Sequence, residues 1–250
     1  MFDKHRAIAI AIALGIIFLA SFPLSAQQSY VSRFDFYAGY GFLDSPKVSL
    51  FENGAAFQFG FRPTTWLSVG FDYTVAAGDL TLKPAQLRPA LQTQLNTAIT
   101  EGIELGAFPP PTSYNYAGLY VPAHSKTQTF ALGPELVNRH FSKVTLFARP
   151  VYAGVIHETA TPEPQDPVVK ALVFGVPPLP GLISGPNKTD SVWFVGFGGG
   201  FDILFGKHFA WRTQADLVWD HLFPDLLQEG RFTVRFSCGP AFNFGGNIKK

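Results

Sequence analysis

Bulky apolar residues recur at every second position along most of this chain, with small or polar residues between them. The segment RFTVRFSCGPAFNF is a clear case, since all of its even-numbered positions are apolar. A period of two predicts a β-strand, whose successive side chains point to opposite faces of the sheet. The helical period is nearly absent from such segments, so we predict an all-β protein.

Eight segments alternate in this way. They are SRFDFYAGYGF, GAAFQFGFR, WLSVGFDYTVA, TQTFALGPELV, VTLFARPVYAGVI, SVWFVGFGGGFDILF, FAWRTQADLVWDH and RFTVRFSCGPAFNF. Short turns join the second to the third, the fourth to the fifth and the sixth to the seventh. The longer connections are about residues 43–52, 78–124, 158–190 and 223–230. This asymmetry predicts an eight-stranded antiparallel up-and-down transmembrane β-barrel, with two long external loops at about 78–124 and 158–190.

Prolines interrupt three of the predicted strands. Pro134, Pro150 and Pro240 each remove a backbone donor from the strand ladder. We therefore expect a β-bulge at each of these positions.

The two faces of the strands differ in side-chain size. One face carries large aromatic residues on every strand, whereas the other is mostly Gly, Ala, Ser and Thr with a few charges. A narrow barrel interior requires small residues, and glycines on a water-facing surface would only weaken the strands. Aromatic side chains suit hydrocarbon, where only a closed barrel satisfies every backbone group. We predict that the aromatic face meets lipid and the small polar face lines a tight lumen.

Two tryptophans on the seventh strand fit this interpretation. Trp211 and Trp219 are eight residues apart, which spans roughly 20 Å of the membrane normal in a tilted strand. Both are then expected near the membrane interfaces, where aromatic girdles occur. The alternative is that they are ordinary core tryptophans.

Composition agrees with a membrane barrel. Charged residues make up 15 % of the 250 residues, against about a quarter in average proteins. A net charge of +1 gives no indication of nucleic-acid binding. The single cysteine, Cys238, has no intramolecular partner, so we interpret it as a small apolar filler.

The N-terminus has the layout of a secretory signal peptide. Lys4 and Arg6 precede an apolar run over residues 7–20, and Ala26 offers a small residue for cleavage. We predict a signal peptide over residues 1–26 and a mature barrel over 27–250. A membrane-anchoring helix is the alternative, although the apolar run is short for that role.

Residues 198–223, GGGFDILFGKHFAWRTQADLVWDHLF, followed by RFTVRFSCGPAFNFG, resemble the small OmpA-like outer-membrane β-barrel domain in its short single-domain bacterial form. The resemblance implies a bacterial outer-membrane location. It also implies outer-membrane lipid, the barrel assembly machinery and periplasmic chaperones as partners. The segment SCGPAFNF is similar to the last-strand signal that the assembly machinery reads, through Ser237, Gly239, Phe242 and Phe244. The tail GGNIKK departs from the family, in which many chains end on the aromatic residue.

Ten charged residues fall on the face that we assign to the lumen. They are Arg33, Asp35, Arg62, Asp72, Glu135, Arg149, Asp202, Arg212, Asp216 and Arg235. Every base is arginine, whose planar fork pairs well with carboxylates in a confined space. We predict a neutral salt-bridge network that plugs the barrel, with Asp202 and Arg212 as the first pair. The alternative is a narrow ion path lined by the same groups.

Histidines beside potential nucleophiles or acids raise the question of catalysis. His124 adjoins Ser125, and His157 adjoins Glu158, near the external rim. Outer-membrane lipid A deacylases use a Ser, His and acid cluster on an eight-stranded barrel. Adjacent residues of a strand point to opposite faces, however, and the sequence carries no motif for a cofactor, a metal or a nucleotide. We predict a protein that is not an enzyme and has no cofactor.

The long loops carry the remaining candidates. Leu87, Leu91, Leu95 and Ile99 are spaced four apart within residues 84–103, which predicts an amphipathic helix. Such a helix caps the barrel, lies on the outer leaflet, meets a partner or packs on its own loop. Residues 160–188 read as an irregular, partly apolar external loop. The function predicted is a structural or surface-interaction role through these loops; a small ion or solute channel and a lipid-modifying enzyme are the alternatives.

Overall fold

The computed structural model describes residues 28–176, 179–183 and 185–248. The predicted signal peptide and its cleavage site at Ala26 lie outside these residues. The strands are β1 (Ser32–Ser45), β2 (Leu50–Phe61), β3 (Leu67–Leu82), β4 (Val121–Asn138), β5 (Val144–Pro162), β6 (Gly175–Val176), β7 (Leu179–Pro180), β8 (Lys188–Leu204), β9 (Phe209–Asp220) and β10 (Arg231–Asn247). β6 and β7 form a small separate hairpin, and the other eight close into an antiparallel barrel in the order β1-β10-β9-β8-β5-β4-β3-β2. The predicted eight-stranded fold is therefore confirmed.

At three of the four long connections, the strands extend further toward the long-loop end than the sequence predicted, whereas the fourth connection begins two residues earlier than predicted. The connections there span residues 46–49, 83–120, 163–187 and 221–230, each placed differently from its predicted range. The first is a four-residue turn, so the predicted loop over 43–52 is wrong. The barrel strands run for 12 to 19 residues, whereas about 9–11 span a bilayer. Strand pairing thus continues above the membrane and shortens the loops. The short turns mark the periplasmic end.

Two of the three strand prolines lie at bulges. The pairing of β4 with β5 shifts register between Leu132 and Leu136, around Pro134. The pairing of β5 with β8 shifts between Arg149 and Tyr152, around Pro150. The bulge expected at Pro240 is wrong.

At Pro240 the ladder loses hydrogen bonds without changing register. Pro240 stays in register with Trp211 of β9. The pairing of β10 with β1 passes over Ala38 and Gly39 and resumes in the same register. The backbone N–H that Pro240 lacks therefore leaves a local gap in strand pairing and does not introduce an extra residue into the strand.

The large side chains lie outside and the small and polar ones inside, as predicted. Trp211 and Trp219 are 43 % and 44 % exposed on the outer surface of β9. An exterior of this kind would aggregate in water but is stable in lipid, where a closed barrel leaves no unpaired backbone edge. The chain is an outer-membrane β-barrel in its architecture and in the surface that it presents.

The long loops fold into an ordered cap over the external mouth. Helix α1 (Pro89–Glu104) packs with helix α2 (Pro167–Phe174), and the apolar stripe that begins at Leu87 lies in their common core. The sequence left four roles open for the amphipathic segment, and the structure shows the segment capping the barrel. In the part of the chain that the structure describes, neither helix is long and apolar enough to cross a membrane.

Helix α2 was not predicted from the sequence. Asp166 caps it, because the Asp166 carboxylate accepts from the backbone N–H groups of Val168 at 2.7 Å and Val169 at 3.2 Å. Pro167 occupies the first turn, where its missing N–H costs no hydrogen bond. The interpretation of residues 160–188 as irregular overlooked this Asp-Pro start signal.

Candidate functional site

Arg149 on β5 forms a central cluster within the barrel. Its guanidinium pairs with Asp72 of β3, with Glu135 of β4 at 3.7 Å and with Asp216 of β9 at 3.4 Å. The guanidinium carbon also lies 4.1 Å from the ring centroid of Tyr152. One fully buried side chain thus links four strands across the lumen.

Arg212 on β9 forms a second cluster nearer the periplasmic end. Its Nε and Nη2 donate to the two carboxylate oxygens of Asp202 at 2.8 and 2.9 Å. Its Nη1 lies 3.2 Å from Asp35 Oδ1, and Asp35 Oδ2 lies 2.6 Å from Nη2 of Arg62. The guanidinium carbon is 5.0 Å from the ring centroid of Phe147. Asp202 and Arg212, suggested as a pair by the sequence, face each other across β8 and β9.

Two arginines of the predicted set lie apart from these clusters. Arg235 is buried and donates to Thr74 Oγ1 at 2.6 Å, and it forms no ion pair among the described residues. Arg33 is exposed, so its assignment to the lumen is wrong. The register of β1 against β10 shifts between Ser32 and Phe34, and this irregularity breaks the alternation that places Asp35 inside.

A third cluster lies at the external end and was missed. Arg231 pairs with Glu158, and its Nε lies 3.0 Å from Asp220 Oδ1. Glu52 accepts hydrogen bonds from the hydroxyls of Ser125 and Thr127. The sequence assigned Glu52 and Glu158 to loops, although the alternation that signals a strand continues through both.

Among the residues that the structure describes, the buried network includes more groups than the sequence predicted. The buried charged residues are Asp35, Glu52, Arg62, Asp72, Glu135, Arg149, Glu158, Asp202, Arg212, Asp216, Asp220, Arg231 and Arg235. Five are arginines and eight are carboxylic acids, because the missed external cluster adds three acids and one arginine to the predicted set, while the exposed Arg33 leaves it. The interior therefore carries more acidic than basic groups.

An apolar cavity of about 80 Å³ lies between the cap and the barrel rim. Among the described residues that line it, every side chain except those of Lys83, Glu158, Lys188 and Arg231 is apolar or is that of Tyr120. Glu158 and Arg231 bind each other, and Lys188 pairs with Asp225. The cavity thus has apolar walls, and two of its charged lining residues are already neutralised by each other.

The cap around this cavity is well packed. Leu95 of α1 and Leu172 of α2 are both buried and belong to one apolar cluster. On the loop between β3 and β4, burial and the nearby Asp166 carboxylate raise the pKa of Tyr114 to about 12. The phenol therefore remains neutral under physiological conditions and adds no charge beside the helix cap.

The structure separates most of the residues considered for catalysis. Ser125 is buried in the lumen, whereas His124 is exposed on the outer surface, 3.4 Å from Asp79. His157 lies on the outer surface, with its Nδ1 2.6 Å from Ser191 Oγ. No carboxylate contacts His157 among the described residues, and no group of three potential metal ligands occurs within them.

The last-strand residues lie on β10. Phe242 is exposed on the lipid-facing side, Phe244 is half-buried in a cluster of phenylalanines, and Gly239 is buried against β1. Ser237 lies in the same strand, opposite Gln214. Their part in assembly stays a prediction.

Comparison with known proteins supports the architecture. A scan against protein-family models finds no match, and a search of curated proteins finds none either. Among solved structures, the chain is similar to the outer membrane protein OprG from Pseudomonas aeruginosa, with 11 % identity, coverage of 89 % of this chain and 100 % of that chain, and a TM-score of 0.52. Neisserial surface protein A gives 10 % identity, coverage of 84 % and 96 %, and a TM-score of 0.47. Ail of Yersinia pestis gives 11 %, 86 % and 99 %, and 0.45. The chain has the fold of small eight-stranded outer-membrane barrels, and its resemblance to the OmpA-like group stays a prediction.

Proposed function

We propose that this chain is a non-enzymatic outer-membrane barrel with a plugged lumen, whose external cap binds a small apolar ligand. The cavity under the cap is the observation that carries the proposal. The barrel acts as a rigid scaffold, and loops held on such a scaffold commonly carry recognition.

The ion pairs inside the barrel support a plugged lumen. Arg149 and Arg212 each bind carboxylates from several strands, and both side chains are almost fully buried. An eight-stranded barrel leaves room inside only for side chains. Displacing these arginines would leave buried charges uncompensated, which is strongly unfavourable.

We therefore expect no conductance from the folded protein in a planar bilayer. Folding is verified beforehand by the shifted migration of unboiled protein on a denaturing gel. Steady, reproducible openings from such protein would contradict the plugged lumen and favour the alternative of a small ion or solute channel.

The cavity favours an apolar occupant. Its walls offer few polar atoms to hold water, and dry apolar cavities in proteins bind small apolar molecules. Its place between two packed helices and the barrel rim resembles the concave, largely apolar sites that bind small ligands. A compact aromatic or short alkyl group is the class of ligand that fits.

Filling the cavity should weaken ligand binding. Ala160 lines the cavity from β5 and is buried. We expect Ala160→Leu to weaken the binding of fluorobenzene at least tenfold, measured by fluorine NMR on the barrel in lipid nanodiscs with empty discs as background. Ala107→Leu is the matched control, because Ala107 is exposed on the loop after α1. Equal binding by the protein and by Ala160→Leu would contradict the cavity as the site.

The placement of the serines and histidines supports the absence of enzymatic activity. A Ser-His pair needs a third group that orients the histidine. His157 and Ser191 are in contact, but the described residues supply no carboxylate to His157. We further propose that the barrel assembly machinery reads Ser237, Gly239, Phe242 and Phe244 after chaperones deliver the chain, and that the mature barrel is surrounded by outer-membrane lipid.

A further inference from the structure

The periplasmic mouth of the barrel is lined by positive charge. A cavity of about 720 Å³ opens there, and Arg62, Arg139, Lys143 and Lys207 line it. We call these four residues the basic cup. Asp202 is the only carboxylate among the described lining residues, and Arg212 already engages both of its oxygens.

Within the described part of the chain, Arg139 has no anionic partner. Its Nε donates to the carbonyl of Thr65 at 3.0 Å, and its Nη1 donates to Gln28 Oε1 at 3.3 Å and Thr145 Oγ1 at 3.4 Å. All three acceptors are neutral, and no ion pair to Arg139 occurs among the described residues. Burial and the positive charge of Arg62 lower the pKa of Arg139. The negative charge of an anion in the cup would oppose this lowering of the pKa.

Two polar groups of the cavity wall are buried without partners. Arg62 is 3 % exposed, and its Nε has no acceptor although its Nη2 pairs with Asp35. Ser32, 2 % exposed, has a hydroxyl without a partner in the same wall. Buried donors are rarely left unsatisfied, and those that remain require an explanation such as an absent ligand.

The cup faces water rather than lipid. Arg62 and Asn243 are buried lumen-facing residues joined by a 3.1 Å hydrogen bond, so the cavity opens along the barrel axis inside the ring of turns. Phospholipid headgroups surround the outside of that ring. Lys143 and Lys207 are exposed at the edge of the cup and form no ion pair among the described residues.

We propose that the basic cup binds a soluble, multiply charged oxyanion of the periplasm, one that carries carboxylate or phosphate groups. Guanidinium forks suit the paired oxygens of such groups, and the two lysines supply charges that adapt to their position. The site is independent of the cavity under the external cap, since the two lie at opposite ends of the barrel.

Calorimetric titration tests the proposal directly. Pyrophosphate and citrate are titrated into the folded protein in phosphatidylcholine nanodiscs. We expect saturable binding at one site. Arg139→Gln should weaken this binding about tenfold or more, because the loss of a hydrogen bond to a charged group has an effect of that size. Because Arg139 also ties two turns together, Lys143→Gln and Lys207→Gln are tested in parallel; both residues are exposed, and we expect each to weaken binding several-fold without loss of folding.

Lys170→Gln is the matched control. Lys170 is exposed on α2 at the external end, so the substitution removes one charge without touching the cup. The absence of saturable binding, or an equal loss in Lys170→Gln, would overturn the proposal. Nanodiscs with added phosphatidylglycerol give a second outcome that would overturn the proposal. If pyrophosphate no longer binds in these nanodiscs and Lys143→Gln restores pyrophosphate binding, a lipid headgroup occupies the cup.

Discussion

Replacing Arg149 by methionine should destabilise the folded barrel by roughly 3–5 kcal/mol, or prevent it from folding. Arg149 is fully buried, and its removal leaves Asp72, Glu135 and Asp216 near one another without their shared counter-charge. Methionine keeps most of the side-chain volume, so the effect reports on charge rather than on an empty space. The urea dependence of folding into lipid vesicles measures it, with unboiled gel migration reporting the folded fraction.

Arg33→Met provides the matched control for this experiment. Arg33 is exposed and outside the lumen, so its replacement should change stability by no more than about 0.5 kcal/mol. Equal urea midpoints for the two variants would show that the Arg149 cluster contributes nothing measurable to the folded barrel, and the plugged lumen would lose its energetic basis.

Replacing Gly133 by valine should cost about 3 kcal/mol, the upper end of the range for overpacking. A side chain at Gly133 would meet Tyr152 Cβ, with Tyr152 Cα at 2.8 Å and the carbonyl of Val151 at 3.0 Å. A rotamer change cannot relieve contact with backbone atoms. Tyr152 cannot move away either, because its ring already packs against Gly196 on the other side. Thermal unfolding followed by gel migration should show the loss.

Gly246→Val is the control, because a side chain at Gly246 would meet no atom within 4 Å. The variant Gly133→Val with Tyr152→Gly completes the test, since it removes the Tyr152 Cβ that a side chain at Gly133 would meet and should recover part of the stability. Purely additive losses in that double variant would contradict the assigned clash, because residues in contact are expected to be coupled.

The two mouths of the barrel differ in chemistry. The external mouth has an apolar cavity under a folded cap, and the periplasmic mouth has the basic cup. The ion-pair clusters of Arg149 and Arg212 lie between them. The two proposed ligands therefore reach separate sites, and a failure of one binding experiment leaves the other unaffected.

The start of α2 and the burial of Glu52 and Glu158 both have local signals in the sequence. Asp166 followed by Pro167 is a helix start that the sequence displays, and α2 begins there. Glu52 and Glu158 continue the alternation of their strands, and both proved to be buried. In each case the sequence carries a local signal for the observed element.

The sequence alone determined the number of barrel strands, their antiparallel order, and which face meets lipid. These properties follow from a period of two and from the lengths of connections, both of which are local. Only the tertiary structure decided that Arg33 lies outside, that Pro240 causes no bulge, and that α1 packs on α2. It also decided that Arg149 shares three carboxylates and that Arg139 forms no ion pair with any described residue. These outcomes depend on register and on contacts between residues far apart in the chain, and a one-residue shift exchanges the two faces of a strand.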